Sequence, residues 1–88
     1  MTRTALVTGG SRGIGAAIAK RLKDDGYNVA ATYAGNDDAA AAFTAETGIK
    51  TYKWNVADYD ESAAGLAKVE AEVGPIDVVV ANAGITRD

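Results

Sequence analysis

Four short β-rich runs alternate along this chain with three longer segments of helical period, and that alternation restricts its fold more than any other feature. The first run, Thr4 to Thr8 (TALVT), ends on glycine. Beyond it Ile14, Ala17, Ile18 and Leu22 recur at i, i+3, i+4 and i+8, which predicts one apolar helix face. Lys20, Arg21 and Lys23 gather toward the end of that helix, where cations suit its dipole, and Gly26 suits the left-handed position after the last turn. Tyr27 to Tyr33 reads as the second strand. Asn36-Asp37-Asp38 offers a cap and first-turn acids for a helix over roughly Asp38 to Glu46, closed by Gly48. Ile49 to Val56 reads as the third strand, with Lys50 and Lys53 marking a sheet edge. Asp58 and Glu61 have the spacing of a capping box. The helix they open sets Ser62, Leu66, Val69 and Val73 on one face, and Gly74-Pro75 stops it. The continuous valines of the fourth run, Ile76 to Ala81, predict a strand buried on both faces. A β-α-β-α-β-α-β order implies an α/β domain with a parallel sheet and right-handed crossovers.

At 88 residues the chain makes one domain with a thin core. Apolar residues make up 48%, but many are alanines, so the larger side chains are expected to supply most of the burial. These are Leu6, Val7, Ile14, Ile18, Leu22, Phe43, Trp54, Leu66, Val69, Ile76 and Val78 to Val80. The net charge is −3 and dispersed, with no basic stripe for a nucleic-acid partner. The absence of cysteine and histidine argues against disulfides and zinc. No run reads as a signal peptide or a bilayer span, so a cytoplasmic protein without a membrane partner is expected.

Gly9, Gly13 and Gly15 lie where the first strand gives way to the first helix. A helix start presents backbone N–H groups and a positive dipole end, and glycines let a phosphate come close to them. Gly15 also lets the helix pack close to the strand. The spacing is Gly-x3-Gly-x-Gly rather than Gly-x-Gly-x-x-Gly, but the strand before and the helix after supply the context a dinucleotide site needs. The alternative is a glycine-rich turn kept for its geometry alone.

Thr8-Gly9-Gly10-Ser11-Arg12-Gly13-Ile14-Gly15 resembles the TGxxxGIG signature of the short-chain dehydrogenases/reductases, and Asn82-Ala83-Gly84 resembles that family's NNAG landmark. The resemblance covers the whole chain. It implies the N-terminal nucleotide-binding half, residues 1–88, of a Rossmann-type doubly wound fold, with four strands in the order 3-2-1-4 and three helices. The first two helices would lie on one face and the third on the other. It places Gly13 and Ile14 beside the cofactor pyrophosphate, with Gly9 shaping the turn. It sets Ser11 and Arg12 near the adenosine ribose, where Arg12 is either a 2′-phosphate ligand or a solvated surface residue. Tyr33 and Gly35 bound the ribose end, Asn55 and Val56 the adenine end, and Asn82, Ala83 and Gly84 the strand-four side.

An NAD site usually carries an acid at the end of strand two. Here that strand ends Thr32-Tyr33-Ala34-Gly35 and the first acid is Asp37, so NADP(H) is the expected cofactor. Asp37 and Asp38 read as helix-start acids. Asn55 stands where the family has aspartate; its amide oxygen can still accept from adenine, without the charge. Ala81 stands where the family commonly has a further asparagine. Trp54, Tyr52 and Phe43 read as packing residues. The family's catalytic serine, tyrosine and lysine fall after strand four, and no tyrosine here has a lysine four places on. The chain alone is therefore expected to be inactive. An exposed fourth strand is expected to drive self-association or complementation by a C-terminal portion. A shortened or redesigned half-fold without activity is the competing reading.

Overall fold

The computed structural model describes residues 3–9, 13–55 and 57–82. The chain runs β1 (Thr4–Thr8), α1 (Gly13–Asp24), β2 (Asn28–Tyr33), α2 (Asp37–Thr47), β3 (Lys50–Lys53), α3 (Tyr59–Glu72) and β4 (Ile76–Ala81). The strands form one sheet in the order β3-β2-β1-β4, and every pairing is parallel. The element order is the one expected from the alternation, and the strand order is the one the family resemblance implies.

Two apolar clusters sandwich the sheet. Val7, Val29, Ala31 and Ile49 pack with Ala19 of α1 and Phe43 of α2. Leu6, Ala30, Tyr52 and Trp54 pack with Val69 of α3 on the opposite face. Helices α1 and α2 thus share one face and α3 takes the other, as a doubly wound sheet requires. Successive residues of a strand point to opposite faces. Hence β1 feeds Leu6 to one cluster and Val7 to the other, each at most 1% exposed.

The burial differs from expectation in a consistent way. Ile14 is 74% exposed, Val79 57% and Leu66 36%, whereas Ala5, Ala19, Ala30, Ala31 and Ala40 are buried. On α1 the buried positions are Gly15 and Ala19 rather than Ile14 and Ala17. The smallest side chains bring helix and sheet closest together, so the line of contact runs along them and swings the first isoleucine outward. On α3 the same logic holds at Gly65. A Cβ there would collide with Cε3 and Cζ3 of Trp54 and come within 2.5 Å of Cδ2. The indole lies hard against bare helix backbone at Gly65. Its Nε1 is buried and finds no acceptor among the described residues.

Strand β4 alternates half-buried and exposed residues instead of being buried on both faces. It is an outer strand, and α3 reaches Leu6 through Val69 without covering Val79, which stands beside Leu6 in the ladder. The register steps at Asp77, whose Oδ2 accepts from the Thr4 N–H at 2.9 Å. Strand β3 stops at Lys53, short of the expected Val56, which lies outside the described residues.

The caps follow the sequence closely. Asn36 accepts from the Ala39 N–H at 2.9 Å, and Gly48, at φ 78°, returns its N–H to Thr44 O. Asp58 accepts from the Glu61 N–H at 2.9 Å. The reciprocal half of the capping box is diverted, because Glu61 Oε1 accepts from the Asn55 N–H instead.

Candidate functional site

The carboxyl ends of the four parallel strands share one rim, and the expected site residues that can be described lie along it. At its centre is the turn after β1. Gly9 (φ 68°) and Gly13 (φ 56°) both take left-handed backbone, which side chains with a Cβ rarely adopt. Three contacts fix the turn. The Gly9 N–H donates to Thr32 Oγ1 of β2 at 3.1 Å. Asn82 Nδ2, just past β4, donates to Gly9 O at 3.4 Å. Gly15 closes the arrangement: a Cβ there would strike Gly9 O and sit 2.7 Å from Asn82 Nδ2. Only hydrogen at this position lets α1 begin so close to the end of β1.

In front of the helix the situation is reversed. Gly13 is exposed, with no described residue within 4 Å of where a Cβ would stand, and Ile14 is exposed beside it. The first-turn N–H groups of a helix have no intrahelical acceptor. Helices α2 and α3 meet this with an Asn or Asp cap and acids in the first turn; α1 has no acid in its first turn. Among the described residues, the turn is held from behind and Gly13 and Ile14 face outward, at the point where strand order reverses between β1 and β4. Crevices of that kind receive the phosphates of nucleotides in open α/β sheets.

Toward the sheet's other edge, Tyr33 is half-buried at the end of β2 and Gly35 is exposed beyond it. Tyr33 lies close to Asp37. Its phenol is raised above the usual tyrosine value, chiefly by desolvation and then by Asp37, with Lys53 pulling the other way. Asp37 opens α2, in agreement with its reading as a helix-start acid. Past β3, Asn55 is exposed in a tight turn: its Oδ1 accepts from the Ala57 N–H and its carbonyl from the Asp58 N–H, both at 2.9 Å. One lone pair of that amide oxygen is thus committed to the turn.

Gly9, Gly13, Ile14, Gly15 and Asn82 are brought together; Tyr33, Gly35 and Asn55 line the rim beyond them. Ser11, Arg12, Val56, Ala83 and Gly84 lie outside the described residues. Asn82 is 8% exposed and its amide holds the turn. Thr32, 1% exposed, has the same task and was given no role from sequence, because a threonine inside a strand carries no local signal of the loop it serves.

Fold and rim together define a parallel α/β unit of the doubly wound kind, with a glycine turn leading from its first strand into its first helix. A family profile described as short chain dehydrogenase matches residues 3–88, and the chain belongs to that family. It is 75% identical over 88 residues to an acetoacetyl-CoA reductase of Paracoccus denitrificans, covering all of this chain and 36% of that protein. It is 50% identical over 93 residues to a 3-oxoacyl-[acyl-carrier-protein] reductase of Staphylococcus aureus, covering 38% of its length. Among solved structures, a blue fluorescent protein from a metagenomic library, in complex with NADPH, superposes with a TM-score of 0.79 at 36% identity. That match covers 88% of this chain and 34% of the other. The chain thus spans little more than a third of the curated relatives it matches. A nicotinamide dinucleotide is the cofactor of this family, and the cradle fits one: Gly15 leaves no space behind the turn, and Gly13 leaves space in front.

Proposed function

We propose that residues 1–88 are the N-terminal, NADP(H)-binding half of a short-chain reductase whose longer form reduces 3-oxoacyl thioesters of the acetoacetyl-CoA type to 3-hydroxyacyl thioesters. The observation that carries the binding role is the Gly9–Gly15 turn, sealed from behind by Thr32 and Asn82 and open at Gly13 and Ile14. The Gly13 and Ile14 N–H groups would take the pyrophosphate. Tyr33 and Gly35 would border the phosphorylated ribose and Asn55 the adenine, with Ser11, Arg12, Val56, Ala83 and Gly84 completing the contacts. The cofactor supplies the hydride; this chain's residues bind and orient its adenosine half. The coenzyme A ester is favoured over the carrier-protein ester by 75% against 50% identity.

Reduction would require the further length of chain that the relatives carry. The outer edge of β4, with Val79 exposed, is where that chain would join the sheet, and a second copy is its competitor for the same edge. Titration with NADPH, followed by nucleotide fluorescence or calorimetry, tests the binding role. Binding at millimolar or lower concentration, abolished in Gly13→Asp with the helical circular dichroism retained, is the expected result. A folded wild-type chain that ignores NADPH would leave the turn as structure only. Mixing with the C-terminal portion of a relative should restore acetoacetyl-CoA reduction and reduce self-association, as read by mass in solution.

A further inference from the structure

The ends of β2 and β3 carry a polar cluster that the glycine turn does not use. Tyr33 and Lys53 are register partners in the parallel ladder, so their side chains rise from the same face of the sheet. Asp37, the first residue of α2, stands over both. Its Oδ1 lies 3.3 Å and its Oδ2 3.4 Å from Lys53 Nζ, and the Tyr33 phenol is near enough to feel the same charge. The Lys53 and Asp37 side chains are 52% and 64% exposed.

An exposed pair of this kind contributes little to stability and exchanges partners readily. Its effect on charge is larger. Asp37 is the first carboxylate after β2, and an acid near that point can accept from a ribose 2′-hydroxyl and repel a 2′-phosphate. Here the carboxylate is already engaged by an ammonium. The ammonium is carried by a side chain long enough to turn toward a neighbouring anion, and a phosphate monoester presents more charge than a carboxylate. If Lys53 leaves, Asp37 keeps the positive end of α2.

We propose that Lys53 determines cofactor choice in this chain: its ammonium passes from Asp37 to the 2′-phosphate of the dinucleotide and so favours NADP(H) over NAD(H). The proposal rests on the dinucleotide reading of the glycine turn and adds a residue that no glycine motif contains.

The test titrates the 88-residue chain and three variants with NADPH and with NADH, at two salt concentrations. Lys53→Met should weaken NADPH about tenfold, the size of one lost charge-assisted hydrogen bond, and leave NADH within about twofold. Asp37→Asn, which frees Lys53, should tighten NADPH. Lys53→Arg should keep the preference. The salt dependence of NADPH binding should be shallower in Lys53→Met than in the wild type. If the wild type prefers NADPH and Lys53→Met preserves that preference, the role of Lys53 is overturned while the glycine turn stands. Equal wild-type affinity for the two nucleotides overturns it in the same way. Failure of the folded wild type to bind either nucleotide overturns both readings. Both side chains are on the surface, and circular dichroism of each variant confirms that the fold is intact.

Discussion

Replacing Gly65 with alanine should destabilise this protein, although the same change inside an exposed helix ordinarily stabilises. The helix-propensity gain is about 1 kcal/mol. Against it stands Trp54, whose Cδ2 would lie 2.5 Å from the new Cβ, with Cε3 and Cζ3 nearer still. Carbon atoms pack at about 3.5–4.0 Å, so the indole or α3 must retreat by about 1 Å. The indole cannot retreat cheaply: it is rigid, 7% exposed, and packed among Leu6, Ala30, Tyr52 and Val69. Overpacking a filled core costs about 1–3 kcal/mol and sometimes more. A clash this deep belongs at or above the top of that range, which leaves a net loss of about 2 kcal/mol after the propensity gain. Urea unfolding gives the measurement, followed by circular dichroism and by the fluorescence of Trp54, the single tryptophan. A double-mutant cycle with Trp54→Leu isolates the cause. Once the indole is gone, Gly65→Ala should become neutral or stabilising, with a coupling of about 2–3 kcal/mol. Equal or greater stability of Gly65→Ala in the presence of Trp54 would refute the stacking argument.

Thr32→Val keeps the shape of a buried strand residue but removes the acceptor for the Gly9 N–H; a loss of about 1–3 kcal/mol is expected, with weaker NADPH binding, by melting and titration. Tyr52 donates to Glu72 Oε1 at 2.7 Å, and burial, then that bond and the Glu72 charge, push its phenol up to about 12. The folded state therefore holds this proton more tightly than the unfolded chain. The associated stability is complete below about pH 10 and lost as pH rises toward 12. Chemical melts across that window should fall less steeply for Tyr52→Phe than for the wild type, and parallel slopes would contradict the assignment. Asp58→Ala removes the cap of α3 and should cost about 1 kcal/mol in the same melts.

The resemblance to a doubly wound fold supplied the strand order, and the alternation of apolar runs was enough to give four strands, three helices and their parallel arrangement. Each of those follows from local period and from the few crossovers a parallel sheet permits. The caps at Asn36, Gly48 and Asp58 were equally legible, since a cap is a bond between residues three or four apart. The glycine turn was legible for the same reason, as a strand, a left-handed residue and a helix start in succession. Tertiary structure decided what depends on distant chain. It turned Ile14 and Val79 outward, because helices settle where side chains are smallest and α3 covers only part of β4. It made Gly65 a platform for an indole eleven residues earlier, gave Thr32 and Asn82 to the turn after β1, and set Lys53 over Asp37. Periodicity reports the face a residue can show. What packs against that face depends on where the rest of the chain lies.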